Sequence, residues 1–209
     1  MNWNPRDSQV YIISHQFTTM FLAMGAEATV ELRDKMIIKK RIPKKYRMEA
    51  LDSTIRRERT IAECRITSES RRNGVPTPII FDIEDFEITM EYIDGPKVKD
   101  ILTPQLSHTI GTVVGKLHSA GIIHGDLTTS NMIFHDNKVY LIDFGLAFYD
   151  NSLEARGVDV HVLFQTFEST HDDHETMITT FSDGYRTTFS DADNILQRVK
   201  EIEGRGRYA

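Results

Sequence analysis

The sequence predicts an α+β protein: a small β-sheet half with one long helix, followed by a reduced, mostly helical half. Three observations carry this. Residues 25–42 and 79–92 hold short strand-like runs separated by turn residues, and the stretch between them is apolar at helical spacing until Asn73-Gly74. After Ile93-Asp94-Gly95-Pro96 the periodicity becomes helical, interrupted by a single hairpin. At 209 residues the chain can bury a sizeable core as one two-lobed unit. Its 40% hydrophobic and 27% charged content is that of an ordinary globular protein.

The elements follow in order. Residues 1–21 match no pattern and read as an N-terminal segment, such as a linker left from a fusion. Residues 22–92 form the sheet lobe, with a glycine turn, a strand over Ala28–Leu32, a tight turn at Arg33-Asp34-Lys35 and a strand over Met36–Lys39. The long helix shows Leu51, Ile55, Ala62 and Ile66 as its apolar stripe. Pro76 and Pro78 lead into strands near 79–83 and 86–92. Residues 93–203 form the helical lobe. Thr103 is an N-cap with Pro104 at the first helical position, and Leu106, Ile110, Val113 or Val114, and Leu117 line one face. Further helices are expected near 158–168, 172–189 and 191–202, before a mobile basic tail over 204–209.

Several functions are disfavoured. No apolar run approaches the roughly 20 residues needed to span a bilayer, and the N-terminus lacks the apolar core of a signal peptide. A cytoplasmic protein with no membrane role is expected. The lone Cys64 excludes an internal disulfide, and its place in the long helix points to packing rather than reactivity. The net charge of −6 conceals an asymmetry: residues 39–72 hold twelve Lys or Arg against five Asp or Glu. Such a lobe can attract a polyanion, or simply present a solvated helix laced with ion pairs.

The chemistry sits in residues 123–145, I-H-G-D-L-T-T-S-N-M-I-F-H-D-N-K-V-Y-L-I-D-F-G. Asp126 precedes Asn131 by five residues, and Asp143 follows Asn131 by twelve, across a hairpin of Met132–Phe134 and Val139–Ile142. That is the spacing with which kinase-fold phosphotransferases hold a nucleophile and magnesium ions. Asp126 is the candidate to orient an acceptor hydroxyl or water and take its proton. Asn131 and Asp143 supply hard oxygen ligands for Mg²⁺ bound to ATP. Lys39, closing Met36-Ile37-Ile38, is placed to hold the α/β phosphates, with Lys40 as the alternative. Glu63 is the preferred carboxylate to align it, ahead of Glu58. Gly25, Ala26, Glu27 and Ala28 form a sparse phosphate-covering loop, and Glu91 to Ile93 form the hinge whose backbone reads adenine. Asp159, opening an apolar helix after Gly157-Val158, suits bracing the catalytic loop through backbone N–H groups. His171 and His174 in T-H-D-D-H-E give a weak zinc signal, and Thr170 before an acidic turn is equally an ordinary helix start.

Missing features narrow the reading. His124-Gly125-Asp126 lacks the arginine that answers a phosphorylated activation loop, and only 13 residues separate Asp143 from Gly157. Small-molecule kinases also use H-G-D, but they build a substrate pocket from a large helical extension. Here 66 residues follow Asp143.

On G-A-E-A (25–28), I-I-K-K-R-I-P-K-K-Y-R (37–47), H-G-D-L-T-T-S-N (124–131), L-I-D-F-G-L (141–146), G-V-D-V (157–160), F-E-S-T-H (167–171) and R-G-R (205–207), the chain resembles the small atypical serine/threonine kinases of the KEOPS (EKC) complex, relatives of the RIO kinases. The resemblance covers about residues 22–209. It implies a protein-kinase-like fold, ATP and Mg²⁺ as cofactors, autophosphorylation, and ATPase activity in support of threonylcarbamoyladenosine formation in tRNA. It implies partnership with the subunit that makes that modification and with other KEOPS subunits, and suits tRNA contact through the basic lobe and through Arg205 and Arg207. The competing readings are a small-molecule kinase and a nucleotide-dependent binding module.

Overall fold

The computed structural model describes residues 19–25 and 27–206, and it divides into two compact units. The first runs to Arg65 and resumes over Pro78–Tyr92; the second comprises Ile66–Thr77 and the chain from Ile93 onward. The sheet lobe expected over 22–92 therefore cedes the end of its helix and the following turn to the second unit. Ile66 and Val75 are buried in that unit's core, which explains the division.

In the first unit, β1 (Thr19–Met24), β2 (Ala28–Arg33), β3 (Met36–Arg41), β4 (Ile80–Glu84) and β5 (Glu87–Glu91) form an antiparallel sheet of order β1-β2-β3-β5-β4. The β2–β3 turn works because Asp34 and Lys35 adopt left-handed φ values of 51° and 63°, as a two-residue hairpin loop requires. Residues 1–18 lie outside the described residues, but 19–21 pair with β2 and so belong to the sheet rather than to a preceding segment.

Helix α1 (Glu49–Arg72) is one element as expected, yet of its apolar stripe only Ile66 is buried and Ile55 half-buried. Leu51 is half exposed and Ala62 exposed, while Asp52, Thr60, Glu63 and Cys64 are buried. The buried face is polar because it receives the cations of the sheet. Asp52 accepts from Arg56 Nε at 2.7 Å, and Arg56 also lies 3.8 Å over the Phe86 ring. Burial pushes the Cys64 thiol up to about 12, so it is an inert packing group.

The second unit holds α2 (Pro104–Ser119), β6 (Ile122–Ile123), the hairpin β7 (Met132–His135) and β8 (Lys138–Leu141), β9 (Phe148–Tyr149), α3 (Leu153–Thr170), α4 (His174–Thr188) and α5 (Ala192–Gly206). Thr103 Oγ1 accepts from Leu106 N–H at 3.2 Å and caps α2, and Leu106, Ile110, Val113, Val114 and Leu117 are all buried. Helix α3 starts at Leu153, earlier than periodicity suggested, because Ser152 caps it by accepting from Ala155 N–H. Helix α5 extends to Gly206, through the first half of the expected tail; Arg207 lies outside the described residues.

Helices α2 and α4 pack at backbone distance. A Cβ on Gly184 would stand 1.9 Å from the His108 carbonyl oxygen, so only glycine fits. Close approach lets side chains bridge the pair: Ser107 Oγ donates to Met177 O at 2.7 Å and Thr188 Oγ1 to Thr112 O at 2.8 Å. Phe164, Phe167, Phe181, Tyr185 and Phe189 fill the space beside them as stacked and edge-on rings. Among the described residues no helix is long and apolar enough to cross a membrane.

Candidate active site

In the first unit, alternation along β3 puts Lys39 and Arg41 on one face. Both reach Glu63 from α1: Lys39 Nζ lies 2.5 Å from Oε1 and Arg41 Nη2 lies 2.5 Å from Oε2. Arg41 and Glu63 are buried and Lys39 is partly so; the carboxylate is fixed between two cations and the lysine amine is held in one position. Lys40 points outward to Glu87 at 3.7 Å, and Glu58 is exposed. Arg41 went unremarked in the sequence, although its i, i+2 relation to Lys39 placed it on the same face.

The loop over 25–28 differs from a phosphate cradle built around its glycine. Gly25 N–H donates to Ala28 O at 2.9 Å and is thus spent inside the loop. Ala26 lies outside the described residues. Glu27 turns to Arg59 at 2.6 Å, with Arg41 at 3.6 Å. Partial burial opposes ionisation of Glu27, but the Arg59 bond and the charges of Arg59, Arg41 and Lys44 hold its carboxyl below the usual range. At the end of β5, Glu91 N–H donates to Ile79 O and its carboxylate accepts from Ile79 N–H at 3.0 Å. The Glu91 N–H is therefore not available to a ligand.

In the second unit the residues expected to be catalytic lie on one loop and just past the hairpin after it. Asn131 Nδ2 donates to Asp126 Oδ2 at 2.8 Å and to its carbonyl at 3.0 Å, closing the loop on itself. Gly125 has φ +78°, and a Cβ there would lie 2.3 Å from Leu146 O, so the residue before Asp126 has to be glycine. Asp143 stands after β8 with φ 63°, its Oδ1 accepting from Gly145 N–H at 3.3 Å. A non-glycine residue in that region stores backbone strain.

Asp159, from α3, anchors the loop. Its carboxylate accepts from His124 N–H and Gly125 N–H, each at 2.9 Å, and from His118 Nε2 at 3.2 Å; His118 Nδ1 is bonded in turn to the Tyr185 hydroxyl at 2.7 Å. Burial alone would raise the Asp159 pKa. The bond and charge of His118, followed by the charge and N–H of His124, hold it below its ordinary value. His124 is pushed down because burial penalises its cationic form, and its Nε2 donates to Ile142 O at 3.1 Å.

One residue escaped the sequence reading altogether. Lys97 Nζ donates to the Ser130 carbonyl at 2.7 Å, within reach of the Asp143 charge. Burial, then Lys99, lowers its pKa against the opposing Asp143 and Asp100. A lysine in G-P-K-V-K-D carries no spacing signal that would have singled it out. At the start of α4, His174 Nδ1 donates to His171 O at 3.3 Å as part of the turn between helices.

A β-sheet unit with a paired lysine and buried glutamate, and a helical unit carrying an Asp–Asn loop and a following aspartate, define the class of the protein-kinase-like fold. The fold of Rio2 kinase from Chaetomium thermophilum, solved with ADP/Mg²⁺ and a phosphoaspartate, matches at TM-score 0.63, covering 96% of this chain and 73% of that one at 14% identity. Residues 16–180 match the RIO domain. A probable serine/threonine-protein kinase BUD32 homolog of Archaeoglobus fulgidus is 44% identical over 90% of this chain and 96% of its own length. The KEOPS complex subunit Bud32 of Pyrococcus abyssi is 41% identical, over 90% and 91%. The chain belongs to the RIO kinase family, among the Bud32 homologues. A probable bifunctional tRNA threonylcarbamoyladenosine biosynthesis protein of Methanosarcina barkeri is 58% identical over 88% of this chain, which spans 35% of that longer protein.

Proposed function

We propose that the chain is an ATP- and Mg²⁺-dependent phosphotransferase working in a KEOPS assembly, with serine/threonine autophosphorylation when alone and ATP hydrolysis in support of tRNA threonylcarbamoyladenosine formation. The observation that carries the chemistry is the loop held by Asp159, in which Asn131 clasps the Asp126 carboxylate. A carboxylate with one oxygen committed to an amide keeps the other oriented for an incoming hydroxyl or water. Asp126 acts as base, and Lys39, aligned by Glu63, holds the α/β phosphates. The loop over Gly25–Ala28 covers them, while the Glu91 carbonyl and the Ile93 backbone meet adenine.

Asn131 and Asp143 offer an amide and a carboxylate oxygen, the hard donors that fit magnesium. Among the described residues no group of three or more His, Cys, Asp or Glu could hold a metal ion, so these two ligands need nucleotide phosphates to complete the shell. Bound there, the ion neutralises triphosphate charge.

The relatives' names support the partnership: the Pyrococcus abyssi relative is a KEOPS subunit, and the Methanosarcina proteins are tRNA threonylcarbamoyladenosine biosynthesis proteins. We therefore assign the threonylcarbamoyladenosine-forming subunit and other KEOPS subunits as partners, with tRNA reached through the basic residues of the first unit and Arg205 and Arg207. The site of action is the cytoplasm. The test is Asp143→Asn, which removes a magnesium-ligand charge at an exposed position. Autophosphorylation and ATP hydrolysis are lost while thermal unfolding is unchanged; wild-type turnover in the variant would overturn the assignment.

A further inference from the structure

The second unit holds a cavity of about 490 Å³ that the proposed chemistry does not use. Its walls are the end of α1 with the turn after it, one face of α2, and the tip of the β7–β8 hairpin. Because the hairpin is antiparallel, its tip is the end remote from Asn131 and Asp143. The apolar surface open to the cavity includes Pro76 and Tyr140, both half-buried, which lie with the buried Val75, Val113 and Val139 in its lining. The remaining lining carries three cations, Arg71, Lys116 and Lys138, and no carboxylate.

Many cations elsewhere meet acids, although Lys45, Arg65 and Lys99 also form no ion pair among the described residues. Arg41, Arg56, Arg59, Arg72, Arg186 and Arg198 all form ion pairs. Among the described residues, Arg71, Lys116 and Lys138 form none. Arg71 is nonetheless held in place, since its Nη1 donates to Thr77 O at 2.6 Å. The site thus has shape, an apolar base and three positive charges awaiting an anion.

We propose that this cavity is the docking site for an acidic peptide segment of a partner protein, one apolar side chain resting on Pro76 and Tyr140 and flanking carboxylates meeting Arg71, Lys116 and Lys138. The volume suits a few side chains and lies within the usual range for ligand pockets. An acid-free lining means that an incoming carboxylate meets no like charge, which favours both encounter and register. A nucleic-acid backbone would use the cations and leave the half-buried Pro76 and Tyr140 without an apolar partner. An extended peptide with alternating side chains satisfies both.

The experiment uses the full chain and fluorescence anisotropy. The probes are a short labelled peptide of repeated Glu-Asp-Leu, its Glu-Asp-Ser counterpart, and labelled oligouridylate. The Glu-Asp-Leu peptide binds, the serine counterpart binds more weakly, and Lys116→Glu/Lys138→Glu weakens binding by about tenfold or more. Lys45→Glu/Arg65→Glu, which changes net charge equally on the first unit, leaves binding unaltered. Lys116→Gln/Lys138→Gln gives a smaller loss in the same direction and serves if the reversed variant fails to fold. The proposal is overturned by no peptide binding up to about 1 mM, by equal weakening in both charge-reversed pairs, or by oligouridylate as the only probe sensitive to Lys116 and Lys138.

Discussion

Asp159→Asn removes half of what positions the catalytic loop, and its cost can be worked from the bonds it breaks. The carboxylate accepts from two backbone N–H groups and from His118. An amide of the same shape offers one oxygen, so one buried N–H of His124 or Gly125 faces an NH₂ group instead of an acceptor. A buried donor left unpaired costs about 1–3 kcal/mol, and weakening the His118 bond to a charged acceptor brings the total to roughly 3–5 kcal/mol. For a chain of this length that lowers the melting temperature by about 6–20 °C at 2–4 °C per kcal/mol. Circular dichroism during urea titration and heating measures it. ATP turnover, assayed where both proteins are folded, falls as well, because Gly125 is the residue next to Asp126. A variant within about 0.5 kcal/mol of wild type and equally active would refute the bracing role.

Three further outcomes are expected. Glu63→Ala leaves the buried Arg41 and partly buried Lys39 without their shared carboxylate, which destabilises the first unit by about 3–5 kcal/mol and weakens ATP binding, read by denaturation and nucleotide titration. Gly184→Ala drives a methyl into the His108 carbonyl at 1.9 Å and costs at least about 1–3 kcal/mol, seen as a lower melting temperature. The His124 pKa is depressed in the folded state below its unfolded value of 6.5, so its contribution is fully present above that pH and is lost as pH falls through the folded value. Between pH 7.5 and 5.5 the wild type loses more stability than His124→Gln, by up to about 1.4 kcal/mol per pH unit; parallel pH profiles would contradict this.

The sequence disclosed what depends on spacing. Asp126, Asn131 and Asp143 are joined by a short loop and a hairpin, so their separation in the chain nearly fixes their arrangement. Lys39 followed from the strand expected over Met36–Lys39, which in the structure runs on to Arg41. What stayed hidden depends on burial. The polar face of α1 is the inner one, because Asp52 and Glu63 are matched by Arg56, Lys39 and Arg41, and hydrophobic periodicity is blind to a face filled by ion pairs. Strand β1 was missed because the run Thr19–Met24 neither alternates cleanly nor pairs regularly, its register shifting between Phe21 and Ala23. Lys97 was invisible because a distant part of the chain, Ser130, brings it beside Asp143.

If this loop transfers the γ-phosphate of ATP as proposed, following that phosphate tests it. Labelled ATP with Mg²⁺ is given to the wild type and to Asp143→Asn, alone and with the threonylcarbamoyladenosine-forming partner and tRNA. Label enters the protein when the wild-type chain is alone, free phosphate is released when the partner and tRNA are present, and the variant gives neither. Nucleotide binding without transfer to protein or water in any mixture would contradict it and leave a binding module.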